Sequence, residues 1–356
     1  MEKIQIKIGD VKIGAGAPIS VQSMTNTKTD DIEKTLNQIK ELADAGCNIV
    51  RLAVLNKECA AALKKIKEKS PVPLVADIHF DYRLALIAME SGIDALRLNP
   101  GNIGGEDHVK KVVEMAKKTK TPIRIGVNGG SLEKALMADD TLNLPEKMVK
   151  SALGHIKILE ENDFNLIKVS LKSSDVMTTI KAYRMIYDKI PYPLHLGVTE
   201  AGTLRGGMIK SAIGLGALLC DGIGDTIRVS LTENPVEEVK TGLDILKALK
   251  LRNGGINFVS CPTCGRCQIN LIGLAHKVED RIRKNFSERF KNLQQSVTIA
   301  TMGCPVNGPN EAKDADYGIA GAIGEGYIFK KGVLIKKVKE ENLLDEFENI
   351  INQDLK

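Results

Sequence analysis

Residues 48–100, NIVRLAVLNKECAAALKKIKEKSPVPLVADIHFDYRLALIAMESGIDALRLNP, decide the fold. Three short apolar runs lie in this stretch: NIVRLAV (48–54), Pro73-Leu-Val-Ala and ALRLNP (95–100). Between them KECAAALKKIKEK (57–69) and YRLALIAMES (82–91) repeat their apolar residues at helical spacing, and SGID marks a turn before the third run. Strands alternating with helices predict a parallel sheet.

The same rhythm extends to both sides. Pro-led strands open at Pro18-Ile-Ser-Val, Pro73-Leu-Val-Ala, Pro122-Ile-Arg-Ile and Pro193-Leu-His-Leu. NIVRLAV, ALRLNP, LIKVSL (166–171) and TIRVSL (226–231) interleave with them. Eight strand–helix units ending near residue 252 predict a (β/α)8 TIM barrel, with active-site residues at the C-terminal ends of its strands. An open doubly wound sheet is the competing layout, but no G-x-G-x-x-G follows the first strand. The chain has 356 residues, more than one ordinary domain, so residues 1–252 are expected to form the barrel and 253–356 a second, α+β domain.

The four interleaved strands carry a cation at a similar place, Arg51, Arg97, Lys168 and Arg228, and two Pro-led strands add Arg124 and His195. Buried cations are costly without partners. A matched set inside a barrel therefore calls for an anion with several oxygens, most simply a diphosphate. Outward-pointing side chains snorkelling between helices are the alternative. The strand ends add Asp77 and His79, Asn99 and Asn102, Asn128 and Ser131, Ser170 and Lys172, Thr199 and Glu200, and Ser230. Gly-rich loops there can turn backbone N–H groups to phosphate oxygens.

Net charge is +5, aromatics are 4% and Trp is absent, which argues against a nucleic-acid partner. The N-terminus shows no apolar signal region and no apolar run reaches the roughly 18 residues of a membrane span, so a cytoplasmic protein without membrane attachment is expected. In that reducing setting disulfides are rare, and seven cysteines need another account. Four fall in Cys261-Pro-Thr-Cys264-Gly-Arg-Cys267 and Met302-Gly-Cys304-Pro-Val-Asn-Gly-Pro-Asn310-Glu311. Thiolates so spaced suit an iron–sulfur cluster or a structural zinc. Either all four cysteines are ligands, or Cys261, Cys264 and Cys304 act with a non-thiolate fourth ligand, Glu311 being near in sequence. Cys47, Cys59 and Cys220 read as small buried apolar residues.

The stretches PISVQSMTNTKTDD, ADIHFDYRLA, RLNPGNIGG, PIRIGVNGGSLE, PLHLGVTEAG, GIGDTIRVSLT, SCPTCGR and MGCPVNGPNEA together resemble the 4-hydroxy-3-methylbut-2-enyl diphosphate synthase family (IspG, also called GcpE), in unbroken order over about residues 4–330. The resemblance implies reductive ring opening of 2-C-methyl-D-erythritol 2,4-cyclodiphosphate in the non-mevalonate route to isoprenoids. It also implies a 4Fe-4S cluster on Cys261, Cys264, Cys304 and Glu311, with electrons from flavodoxin or ferredoxin. A homodimer in which the cluster domain of one subunit caps the barrel of the other is implied as well. Two departures stand out: the family's N-G-P-G-E reads N-G-P-N-E here, and Cys267 occupies a position the family fills with a non-ligand. Residues proposed for the substrate are Arg51, His79, Arg97, Asn99, Arg124, Asn128, Lys168, Ser170, His195, Arg228 and Ser230, with Glu200 as proton donor. A pterin-synthase-like barrel transferase or lyase with a structural zinc domain is the alternative reading, and a redox-sensing binding protein without turnover a third.

Overall fold

The computed structural model describes residues 2–252, 254–267, 269–291, 293, 296–304 and 312–355. By its internal contacts the chain divides into two compact units, Met1–Arg252 and Asn253–Lys356.

The first unit opens with an antiparallel hairpin, β1 (Gln5–Ile8) and β2 (Val11–Gly14). Eight parallel strands follow: β3 (Ser20–Met24), β4 (Ile49–Ala53), β5 (Leu74–Asp77), β6 (Ala95–Arg97), β7 (Ile123–Asn128), β8 (Ile167–Lys172), β9 (His195–Leu196) and β10 (Thr226–Ile227). They pair in the order β8-β7-β6-β5-β4-β3-β10-β9, and a parallel bridge between Val169 and Leu194 closes the ring. This is the predicted (β/α)8 barrel. Helices α1 (Ile32–Asp44), α2 (Lys57–Lys69), α3 (Tyr82–Glu90), α4 (Glu106–Thr119), α5 (Lys134–Met137), α6 (Leu144–Glu160), α7 (Val176–Tyr187), α8 (Leu204–Cys220) and α9 (Pro235–Ala248) connect the strands.

Capping fixes where these helices start. Asp31, Asn56, Asp81, Asn143, Asp175 and Asn234 each accept a backbone N–H from the first turn that follows, and Asn143 with Glu146 forms a full capping box. Crossover helices run against the strands, so these N-termini ring the C-terminal face of the barrel, where N–H groups and helix dipoles favour anions.

The hairpin seals the other face. Ile6, Ile8 and Ile13 bury against Ile49, Val75 and Ala95, residues of β4, β5 and β6 near their N-terminal ends. Gly9 makes the turn at φ +58, and a Cβ there would meet Pro73 at 2.8 Å.

The second unit is a five-stranded sheet: β11 (Ile256–Ser260), β12 (Val297–Met302), β13 (Tyr317–Ala322), β14 (Glu325–Lys330) and β15 (Val333–Lys339), paired in that order. The first three strands are parallel and the last two pairings antiparallel. Helices α10 (Leu271–Lys291) and α11 (Leu343–Asp354) bury Val278, Ile282, Phe286, Phe347 and Ile351 against it. No helix among the described residues is long and apolar enough to cross a membrane.

Candidate active site

Asp77, the last residue of β5, organises one side of the barrel mouth. Its carboxylate lies 3.7 Å from Arg51 Nε, 3.5 Å from Arg97 Nη1 and 3.5 Å from His79 Nε2. Burial alone would push this carboxyl up, but Arg51, the His79 hydrogen bond, Arg97 and Arg124 together hold it well below the usual carboxylate range. Arg97 also donates to the Gly126 carbonyl at 2.9 Å, and a Cβ at Gly126 would lie 2.6 Å from Arg97 Nε. Glycine is needed there for the guanidinium to cross the strand.

On the other side Arg228 donates from Nε to Glu238 at 3.4 Å. Glu238, buried in the first turn of α9, also accepts from Ser23 Oγ and from Leu231 N–H, both at 3.0 Å. Between the two sides, Met24 sulfur accepts from Arg51 at 2.9 and 3.1 Å and from Arg228 at 3.8 Å. A thioether orients both guanidiniums without neutralising either.

Arg124 and Lys172 complete the cluster. Arg124 is 3% exposed, and its Nε and Nη1 have no hydrogen-bond partner. Burial and then repulsion from Arg51 and Arg97 lower its pKa. Burial pulls Arg51 down to about 10. Lys172, at the end of β8, is lowered by burial and by Arg124, Arg228 and Arg51, with Glu238 opposing. Arg51, Arg97, Arg124, Lys172 and Arg228 thus face two carboxylates, Asp77 and Glu238. That surplus of buried cations and orphan donors fits a ligand with several anionic oxygens.

Other predicted residues fall elsewhere. Lys168 is 1% exposed and donates to Thr226 at 3.5 Å, among Ile8, Gln22 and Arg124 near the hairpin, below the mouth. Inward positions on β8 step by two residues, so Lys168 shares a layer with Thr226 while Lys172 reaches the mouth. His195 is also deep: it is fully buried, both ring nitrogens lack partners, and burial, then repulsion from Arg124, Lys172, Lys168 and Arg51, lowers its pKa well below the ordinary value. The Asn99 carboxamide is spent on Gly126, accepting its N–H at 2.8 Å and donating to its C=O at 3.0 Å. Ser170 donates to the Ile125 carbonyl at 3.3 Å. Asn128 accepts from Gly130 N–H, which leaves its NH2 group free at the rim. His79 and Glu200 are exposed and Ser230 is half-buried. Glu200 has φ +51, an unusual conformation for a non-glycine residue and one that clusters at functional sites. Glu238 escaped the sequence reading because a helix-start carboxylate after Asn-Pro looks like an ordinary dipole partner.

In the second unit β11 and β12 are in register up to Ser260 and Thr301, so Cys261 and Cys304 leave the sheet at the same end. Gly303 N–H donates to Cys261 sulfur at 3.2 Å. Cys267 donates to the Ile269 carbonyl at 3.4 Å, and a Cβ on Gly303 would lie 2.9 Å from its sulfur. All seven cysteines are unpaired thiols. Among the described residues no three His, Cys, Asp or Glu side chains are gathered to hold a metal, and Glu311 lies outside the described residues. The donor types still suit a cluster: Cys261 and Cys304 leave the sheet at one end, and Cys261 already accepts a backbone N–H, as cluster sulfurs do. Cys47 and Cys59 are buried as expected, whereas Cys220, on the outer face at the end of α8, is exposed.

These features define a two-domain enzyme, a barrel with a cationic mouth followed by a thiol-bearing α+β unit. Residues 3–243 match the GcpE TIM-barrel domain and residues 257–353 the GcpE protein C-terminal domain, and the chain belongs to the GcpE family. It is 57% identical over 341 residues to 4-hydroxy-3-methylbut-2-en-1-yl diphosphate synthase (flavodoxin) of Geobacter sulfurreducens, covering 96% of this chain and 94% of that protein. The protein of the same name from Fusobacterium nucleatum is 55% identical over 350 residues, with 98% and 97% covered. Among solved structures, dihydropteroate synthase from Xanthomonas albilineans in complex with 7,8-dihydropteroate aligns with a TM-score of 0.50 at 10% identity, covering 69% of this chain and 97% of that one. That likeness is one of barrel fold alone, and the pterin-synthase reading is not favoured.

Proposed function

We infer that this enzyme converts 2-C-methyl-D-erythritol 2,4-cyclodiphosphate to 4-hydroxy-3-methylbut-2-enyl diphosphate, in the isoprenoid route its relatives' name implies. The observation that carries the reading is the mouth of five cations around two carboxylates, in one chain with the Cys261 and Cys304 thiols that leave one end of the second unit's sheet. Arg51, Arg97, Arg124, Lys172 and Arg228 hold the diphosphate oxygens, and the Asn128 NH2 group serves the rim. As the ring opens, the released diphosphate oxygen stays on these guanidiniums, which stabilise the charge that develops there. Glu200 gives a proton to the departing hydroxyl, which leaves as water.

Cys261, Cys264, Cys304 and Glu311 are the residues that would hold a 4Fe-4S cluster. When bound, that cluster supplies the two electrons of the reduction. Flavodoxin is the donor favoured by the relatives' name, and a cytoplasmic setting suits the free thiols. We place the working site between two chains. Leu55 and Phe80, on loops leaving the C-terminal ends of β4 and β5, are 75% and 73% exposed. Ile272 and Ile323, at the thiol end of the second unit's sheet, are exposed as well. Pairing these apolar rims in a homodimer caps one subunit's barrel with the other's cluster domain and excludes water.

Anaerobic iron and sulfide analysis tests the ligand set. Cys267→Ser keeps the full complement, whereas Cys261→Ser, Cys264→Ser and Cys304→Ser lose it. Cluster loss in Cys267→Ser sinks the assignment, and zinc without sulfide in the native protein sinks the reaction.

A further inference from the structure

Cys267 has no part in the reaction described above, yet it is closely placed beside one of the proposed ligands. Cys264-Gly265-Arg266-Cys267 closes on itself, the Cys267 N–H donating to the Cys264 carbonyl at 2.9 Å. Such a turn brings its first and fourth Cα atoms within about 7 Å, which overlaps the roughly 4.4–6.8 Å over which disulfides form. Both thiols are free. Cys264 is exposed and Cys267 half-buried, its sulfur held between the Ile269 carbonyl and the backbone of Gly303. An exposed thiol that meets oxidant first, with a sheltered thiol one turn away to resolve it, is the layout of a reversible dithiol site.

We propose that Cys264 and Cys267 form a reversible disulfide when peroxide strips the cluster, so that the exposed ligand thiol is stored rather than destroyed. The proposal rests on Cys261, Cys264, Cys304 and Glu311 being the cluster ligands. The Cys264 thiolate attacks one oxygen of hydrogen peroxide, the O–O bond breaks, and the leaving hydroxide takes a proton to become water. Cys264 is then a sulfenic acid. The Cys267 thiolate attacks that sulfur, the S–S bond forms, the S–O bond breaks, and a second water leaves. Two thiols have given up two electrons and two protons to one peroxide. A dithiol reductant returns both thiols and reopens the site to iron and sulfide. Without Cys267, the sulfenic acid climbs to sulfinic and sulfonic acids, which such reductants do not reverse.

The test uses full-length protein purified without oxygen and carrying its cluster. Hydrogen peroxide is added until the visible cluster absorption is gone, free thiols are alkylated, and the cysteines are read by mass spectrometry. The wild type should lose two of its seven free thiols to a Cys264–Cys267 link, and dithiothreitol should restore both thiols and subsequent reloading with iron and sulfide. In Cys267→Ser and Cys267→Ala, Cys264 should carry two or three added oxygens, and dithiothreitol should not restore reloading. A disulfide from Cys264 to Cys261 or Cys304, or equal over-oxidation of Cys264 in wild type and variants, overturns the proposal. Failure of both untreated variants to carry a cluster overturns the ligand reading beneath it, a result visible before any peroxide is added.

Discussion

Asp77 stays charged where burial alone would neutralise it, because Arg51, His79, Arg97 and Arg124 surround it. Its folded pKa lies below the unfolded value of about 3.9. Ionised Asp77 therefore stabilises the fold above that value, and the contribution is lost as pH falls through the folded pKa. Asp77→Asn should cost about 3–5 kcal/mol near neutral pH, the usual result of breaking a buried pair. Melting curves should show the gap to wild type narrowing below about pH 4; a constant gap would mean that the charge is not what matters. At this scale the sequence was partly legible. Arg51, Arg97 and Arg124 sit at strand positions where period-2 alternation points them inward, and Arg228 follows directly on β10. Lys168 and Lys172 are both inward, two residues apart, and choosing between them requires the stagger of the closed barrel. Asn99 looked like a binding group, yet a carboxamide beside a glycine strand also suits backbone pairing, which is what Gly126 receives.

At the scale of elements, the helices were readable because amphipathic periodicity and Asx caps agree. The last strands were harder. TIRVSL suggests six residues of strand, but β10 ends at Ile227, and the Leu231 N–H goes to the Glu238 carboxylate instead of a neighbouring strand. The N-terminal hairpin was missed: four-residue strands of alternating Ile and polar residues give little signal, and they are stable only once packed on the barrel. That packing predicts its own test. Ile13→Ala removes a fully buried side chain from the seal and should cost about 2–5 kcal/mol in urea unfolding. Substrate affinity should be unchanged, since Ile13 packs among Ile6, Ile8, Ile49, Val75 and Ala95 rather than among the mouth cations. A loss of affinity matching the loss of stability would show that the hairpin shapes the mouth.

For the whole molecule, the division between Arg252 and Asn253 falls where the strand–helix rhythm ends. In the homodimer proposed above, the second unit of one chain caps the barrel of its neighbour. Co-expressed Glu200→Gln and Cys264→Ser chains should therefore form mixed dimers that regain activity; demonstrated heterodimers as inactive as each parent would place the site within one chain. The division of labour between the units is the central claim, and calorimetry with 2-C-methyl-D-erythritol 2,4-cyclodiphosphate tests it most directly. Cys264→Ser should bind the compound nearly as wild type does while failing to reduce it. Arg124→Met should keep its iron and sulfide but lose roughly 2–5 kcal/mol of binding, more than tenfold in affinity. Undiminished affinity in folded Arg124→Met would contradict the account.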